Sequence, residues 1–326
     1  MGRVIKTFLI IVVCLVLAAA GTLAAFALWY HIDIKEMFSD KFETNTVSVK
    51  EDFSSVMIDT DTEDIDFSYD ENGGCRVVFY ERALEPHRAY VSGGTLFIEP
   101  AEKKIPFNFF SSGTPHVTVY LPRHTYDTLT INESTGDVEI PGGFSFGNID
   151  IGVSTGDVNC GACAEGKLKI STSTGSVITE SLSTGSLDLT VTTGSVDVRS
   201  VTCAGDINLT VSTGRALLSD VTCKNFTTGG STGRIIMERL FASGLISVTR
   251  STGDVTFELS DAEEISVITD TGDVTGTLLS DKIFIVRSDT GRIDVPESVT
   301  GGKCKVTTDT GDILLKTGHS TGPEDG

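Results

Sequence analysis

The sequence predicts an all-β chain, a parallel β-solenoid of about 19–20 residues per coil preceded by one transmembrane helix. Three observations carry that prediction. The phrase Ser134-Thr135-Gly136-Asp137-Val138 returns around Gly156, Gly175, Gly194, Gly214, Gly233, Gly253, Gly272, Gly291 and Gly311, and a Thr precedes every one of these glycines. The steps between them are 20, 19, 19, 20, 19, 20, 19, 19 and 20 residues, a period that marks a solenoid. Apolar residues hold fixed offsets from each glycine, and a long uncharged apolar run stands near the N-terminus.

Arg3 and Lys6 end a short tail, residues 1–7, before the run from Phe8 to Tyr30. Its 23 residues without a charge are long enough to cross a bilayer. Trp29 and Tyr30 close it with rings that favour the interface, and the positive flank predicts an N-terminus in the cytoplasm. A cleaved signal peptide is the competing reading, since Ala18-Ala19-Ala20 offers small residues to a peptidase. Either way the bulk of the chain is exported, and the retained anchor makes it a single-pass protein of the cell membrane with its solenoid outside. Residues 31–46 read as a charged connector.

Residues 47–133 read as irregular first coils that cap the solenoid, because open sheet edges invite aggregation. Within them Asp61-Thr62-Glu63-Asp64-Ile65 is a worn copy of the repeat with Glu in place of glycine, and Pro106–Gly113, with Phe107, Phe109 and Phe110, reads as a loop packed over an end. Residues 134–316 are the regular repeats. Two and four positions after each glycine, side chains such as Val138 and Ile140 alternate onto one face of a strand, and seven and five positions before it Leu129 and Ile131 do the same. Each coil thus carries about two short strands that bury their apolar faces only when stacked. Ten coils at sheet spacing give a core roughly 48 Å long. The glycines suit corners that need φ > 0 or lack room for a Cβ. A half-period echo at Gly185 and Gly205 gives the opposite side of the coil a related pattern. The tail, residues 317–326, has no apolar pattern and reads as disordered.

The position after the glycine mixes Asp137, Asp157, Ser176, Arg215 and their counterparts, which reads as a solvated face with charge pairing. A calcium ladder would need a nine-residue glycine-rich pattern that is missing. The recurring Ser-Thr-Gly-Asp-Val phrase, with Val117-Thr118-Val119-Tyr120-Leu121-Pro122 before it, resembles the bacterial "putative adhesin" family of β-strand-repeat proteins, a domain of unknown function. The resemblance covers about Val47 to Leu315, and the family is similar to the toast-rack domains of envelope-stress proteins. It implies a β-solenoid ectodomain and supplies no catalytic residues.

A net charge of −20 opposes binding to nucleic acid, whose phosphates need a basic stripe. Of seven cysteines, Cys14 lies in the apolar run, Cys160 and Cys304 hold inward positions, and Cys75 has no evident partner. Cys160-Gly161-Ala162-Cys163 has redox spacing without a second pair or a βαβ context, so Cys160 reads as a buried structural thiol. Cys203 and Cys223, one coil apart, are a possible disulfide. The histidines (His31, His87, His116, His124 and His319) show no metal spacing, and no nucleophile set stands out. No cofactor, metal or catalytic residue is predicted. Polysaccharide-cleaving β-helices build clefts from long irregular loops, which coils varying by one residue leave no room for. The expected function is therefore a non-enzymatic, membrane-anchored surface-binding or structural module contacting a protein or cell-surface partner. The alternative is a scaffold or sensor of an envelope-stress system acting through a membrane partner.

Overall fold

The computed structural model describes residues 21, 22, 25, 41–71, 73–83, 85–101 and 113–318. Most of the predicted span, the cytoplasmic tail and most of the connector lie outside these residues, as do the Phe107–Phe110 cluster and the tail beyond Gly318. Gly21, Thr22 and Ala25 are helical. Among the described residues, no helix is long and apolar enough to cross a membrane.

The remainder is a β-solenoid whose coils stack parallel and in register. Ile131, Ile151, Ile170, Leu189, Leu209, Thr228, Val248 and Val267 follow one another across adjacent coils. All four predicted inward columns face the core, and their members from Leu129 to Val274 are buried. The exceptions are Gly276 and the coil around Gly291, where Ile293 is 43% exposed and Phe284, Val286 and Val295 are only partly buried.

The Ser-Thr-Gly corner is built by backbone contact. The N–H of Gly156 donates to the carbonyl of Thr174 at 3.0 Å, and Gly175 to Thr193 at 3.1 Å. This approach leaves no room for a side chain. A Cβ on Gly194 would stand 1.8 Å from the carbonyl oxygen of Gly175, and one on Gly214 would stand 1.7 Å from that of Gly194. The φ angles there, 150° and 142°, also disfavour any L side chain.

Two further corners complete the coil, so the middle coils have three sides where two strands were expected. Ser181, Ser200, Asp220, Arg239 and Leu259 hold φ of 51–56° one above another. Beyond them, short segments such as Val201–Thr202 and Val221–Thr222 pair as a third side. The third corner follows Gly147, Gly166, Gly185 and Gly205, where a Cβ would meet backbone or side-chain oxygen within 2.6 Å.

Both ends depart from chain order. Strand Ser55–Thr60 pairs with Thr95–Pro100 on one side and Thr125–Thr135 on the other. Asp64–Tyr69 likewise lies between His116–Leu121 and Val138–Ile140. The first coil in sequence is therefore second in space. At the far end Gly302–Thr310 inserts between Val255–Thr271 and Lys282–Thr290, and Ile313–Thr317 inserts between Val274–Leu278 and Ile293–Asp294. The last coil in sequence is thus one in from the end, and the Gly291 coil lies outermost.

The expectation of parallel coils from Val47 onward needs correction. Phe42–Val49 pairs antiparallel with Cys75–Arg82, which pairs antiparallel with His116–Leu121, and His87–Ser92 forms a hairpin with Thr95–Pro100. These strands close the N-terminal end. The strand at Phe42 also begins inside the expected connector, because Glu43, Thr44 and Asn45 lack apolar alternation on this exposed edge.

A guanidinium without a carboxylate partner among the described residues lies inside the rod. Arg250 is 1% exposed, in the inward column between Gly230 and Thr269, where Gly230 frees the space. Its Nη1 donates to the carbonyl of Val211 at 2.7 Å, while Nε and Nη2 have no partner among the described residues. Burial pulls its pKa below the ordinary value.

Two stability outcomes follow. Gly194→Ala should cost roughly 3 kcal/mol or more, from the left-handed backbone and the collision with Gly175, and an unchanged denaturation midpoint would refute this corner. Arg250→Met should stabilise by about 1–2 kcal/mol, because a buried cation without a counter-charge is replaced by an apolar chain of similar length. A lower midpoint in urea would contradict that assignment.

Candidate interaction surfaces

The column after the corner glycines is more ordered than a solvated face. Oδ1 of Asp64 accepts the backbone N–H of Asp137 at 2.9 Å, Asp137 that of Asp157 at 2.7 Å, and Asp157 that of Ser176 at 2.6 Å. A second run passes from Asp254 to Asp273, Asp312 and Arg292 at 3.1, 2.8 and 2.8 Å, in the interleaved spatial order. Between them, the hydroxyl of Ser195 donates to that of Ser176 at 3.0 Å. The carboxylates thus satisfy corner N–H groups that a side chain must reach. Among the described residues no group of three or more acidic, His or Cys side chains could hold a metal ion.

The sheet faces carry pairs between neighbouring coils. Lys169 meets Asp150 at 3.1 Å, Lys167 meets Asp188 at 2.8 Å, and Asn159 donates to Glu139 at 3.1 Å. Exposed pairs of this kind contribute little individually. They fix the surface pattern more than the stability.

Two separate depressions lie along the third corner, one lined by Gly143, Cys163, Glu165 and Ser183, the other by Cys223, Phe241, Asp261 and Lys282. Lys282 is spent within the latter: its Nζ lies 2.6 Å from Asp261, 2.7 Å from the carbonyl of Ala262 and 2.8 Å from the hydroxyl of Ser280. The disulfide expected between Cys203 and Cys223 is not formed, and both thiols are free. The Cys203 thiol turns instead toward the carbonyls of Gly185 and Asp206, at 3.7 and 3.6 Å. Burial pushes the pKa of Cys223 up to about 12, and that of Cys160 likewise to about 12. Neither supplies a thiolate near neutral pH.

The N-terminal cap holds a buried charged cluster with no signature in residue spacing. Nδ1 of His87 lies 2.9 Å from Glu81 and Nε2 lies 3.3 Å from Glu63, with all three side chains at most 3% exposed. Glu81 also accepts from Asn45 Nδ2 and from the backbone N–H of His87, both at 2.6 Å. Glu63 accepts the N–H groups of Asp61 and Thr62 at 3.0 and 2.8 Å. The imidazole stacks on Phe79 with ring centroids 5.7 Å apart. Glu63 is the residue in the glycine column, and its carbonyl oxygen stands where a Cβ on Gly136 would fall, 2.3 Å away. The cluster therefore ties the first coil to strand Cys75–Arg82 and to the hairpin. Burial works against the charged imidazole, yet Glu63 and Glu81 outweigh it and raise its pKa to about 9. Burial likewise opposes the Glu81 carboxylate, but its bonds from His87 and Asn45 hold it below the ordinary value.

The linkage has a definite sign. The folded His87 pKa lies above its unfolded value of 6.5, so its contribution is complete below pH 6.5 and is lost as pH rises through about 9. The melting temperature should fall between pH 7 and 10, and His87→Gln should flatten that segment of the profile. Parallel profiles for wild type and variant would exclude the clamp.

Among solved structures, the chain is similar to a "putative lipid binding protein" from Parabacteroides distasonis at 16% identity. That alignment has a TM-score of 0.47 and covers 72% of this chain and 94% of that one. A "putative adhesin" from Bacteroides fragilis aligns at 17% identity and TM-score 0.35, over 86% and 98% of the two chains. A second one, from Parabacteroides distasonis, aligns at 13% identity and TM-score 0.45, over 82% and 97%. No curated protein matches the sequence. Residues 53–214 match the family described as Toastrack DUF4097, which spans the capped end and the first regular coils. Over that segment, just under half of the chain, the protein resembles the Toastrack DUF4097 family.

Proposed function

We propose that this protein is a non-enzymatic surface module, tethered to the cell membrane by residues 8–30 with its N-terminus in the cytoplasm, that binds or spaces through the faces of its solenoid. The observation that carries this reading is how the polar side chains are used. The Asp ladder feeds backbone N–H groups, Lys282 is enclosed by three partners, and the His87 cluster locks the cap. What remains toward solvent is a regular array, with a Ser, Thr or Asp followed by a Thr at each corner from Ser134-Thr135 to Asp309-Thr310. A rigid repetitive surface of this kind suits extended contact with a protein or a cell-surface polymer, and its acidity favours a basic or cation-bridged one. The apolar run before the rod supports the tether.

Protease added to intact cells expressing the full chain should remove the solenoid and leave the membrane-embedded segment. Full protection until lysis would refute the orientation. Crosslinking from intact membranes separates the binding role from a scaffold or sensor role. Recovery of one membrane regulator in stoichiometric amount, with surface binding unaffected by deletion, would replace the proposed function with the latter.

A further inference from the structure

The two ends of the solenoid are finished differently. The N-terminal end is closed by antiparallel strands with polar outer faces, Phe42–Val49 and His87–Ser92. The C-terminal end stops at the Gly291 coil. Among the described residues its strand Lys282–Thr290 pairs only with Gly302–Thr310, and Ile293–Asp294 only with Ile313–Thr317. This coil also leaves its core side chains Phe284, Val286, Ile293 and Val295 part open. Its outward side chains break the pattern as well. The column six before the glycine is polar in every other coil from Thr130 to Lys305, yet here it is Ile285, 52% exposed, beside Ile283 at 36%. A free edge rich in β-branched apolar residues is a template for another strand.

We propose that this end is a homodimer interface, in which strand Lys282–Thr290 pairs antiparallel with the same strand of a second copy, Ile285 opposite Ile285. Inward and outward side chains must stay on their own faces, which restricts the dyad to alternate registers. Centring on Ile285 sets Phe284 against Val286, so the core runs on from one copy into the other. It also lays Ile283 against the stem of Arg287. Centring on Arg287 would oppose two guanidinium groups, and centring on Val286 would set Phe284 against Ser288 and Ile283 against Asp289. The chosen register's like-charged pair, Asp281 with Asp289, falls at the end of the ladder. A nine-residue strand and two sheets about 10 Å apart give an end face of about 30 by 20 Å with side chains. The dimer then buries roughly 1,200 Å² in total, the lower bound for a stable interface. Such a contact dissociates on dilution. It places the two N-termini at opposite ends of a double-length rod, as chains on facing membranes would require. That last step rests on the proposed tether, and the dimer itself does not.

The test uses the full chain in detergent micelles. Wild type should show a concentration-dependent dimer by sedimentation at tens of micromolar, and Ile285→Lys should weaken it at least tenfold with an unchanged melting temperature. Under mild oxidation Ile285→Cys should yield a disulfide-linked dimer, while Thr130→Cys, in the same outward column of a distant coil, should not. Wild type that stays monomeric, equal crosslinking by the two cysteine variants, or a dimer that survives Ile285→Lys would each overturn the proposal, including the case where the end is covered by a different protein.

Discussion

The structure depends on one steric fact: at the Ser-Thr-Gly corner, the carbonyl of each coil stands where a side chain on the next would have to be. The gap between a hypothetical Cβ and that oxygen is 1.7–2.2 Å for the corner glycines from Gly156 to Gly311. No rotamer relieves such an overlap, because both partners are backbone. With the corner fixed, the strands on either side are held in register, and register decides which side chains face inward. Leu129, Ile149 and Leu168 stack because Gly136, Gly156 and Gly175 do. The Thr before each glycine supplies the carbonyl that receives the neighbouring glycine N–H. Thr-Gly is therefore a unit.

Polar groups obey the same geometry. A stacked corner presents N–H groups sideways, and a short carboxylate one position on reaches the N–H of the next coil. Asp serves this purpose at both ends of the rod, while the middle carries Ser176, Ser195, Arg215 and Arg234. An unbroken column of stacked carboxylates would repel itself, and the neutral and basic residues interrupt it. At the cap the logic reverses. Glu63 replaces glycine, its backbone keeps the corner stacked, and its side chain is spent inside on His87. The cap thus gains an ion cluster that the regular coils have no place for.

Most of the fold was legible in the sequence because a repeat reports its own geometry. The corner glycines from Gly136 to Gly272, the inward columns from Leu129 to Val274 and the worn copy at Glu63 take the places that spacing predicts. The misses share a cause: they depend on contacts between residues far apart in sequence, or on backbone conformations without a residue-type signature. Ser181, Ser200, Asp220, Arg239 and Leu259 turn the second corner with five positive φ angles but four residue types. Glu81 and His87 lie six residues apart on a turn, while Glu63 arrives from another coil. The pairing of Cys203 with Cys223 followed from a correct one-coil offset. Stacking alone does not turn two thiols toward each other when nearby carbonyls compete for them.

The interleaved ends show how a linear stack can protect its termini. In a solenoid built strictly in chain order, the first and last coils each have one neighbour, so they fray most easily. Here the first coil in sequence lies between Thr95–Pro100 and Thr125–Thr135, and the last between Val255–Thr271 and Lys282–Thr290. Each has neighbours on both sides, and what remains outermost is an internal segment held by chain at both its ends. At the N-terminus that segment is further covered by antiparallel strands and pinned by His87. At the C-terminus it is the Gly291 coil, whose register is complete but whose core is half covered. The asymmetry follows from the direction of the chain: the hairpin and antiparallel strands are drawn from the long excursion between Tyr69 and His116, and no comparable excursion exists between Leu278 and Gly302.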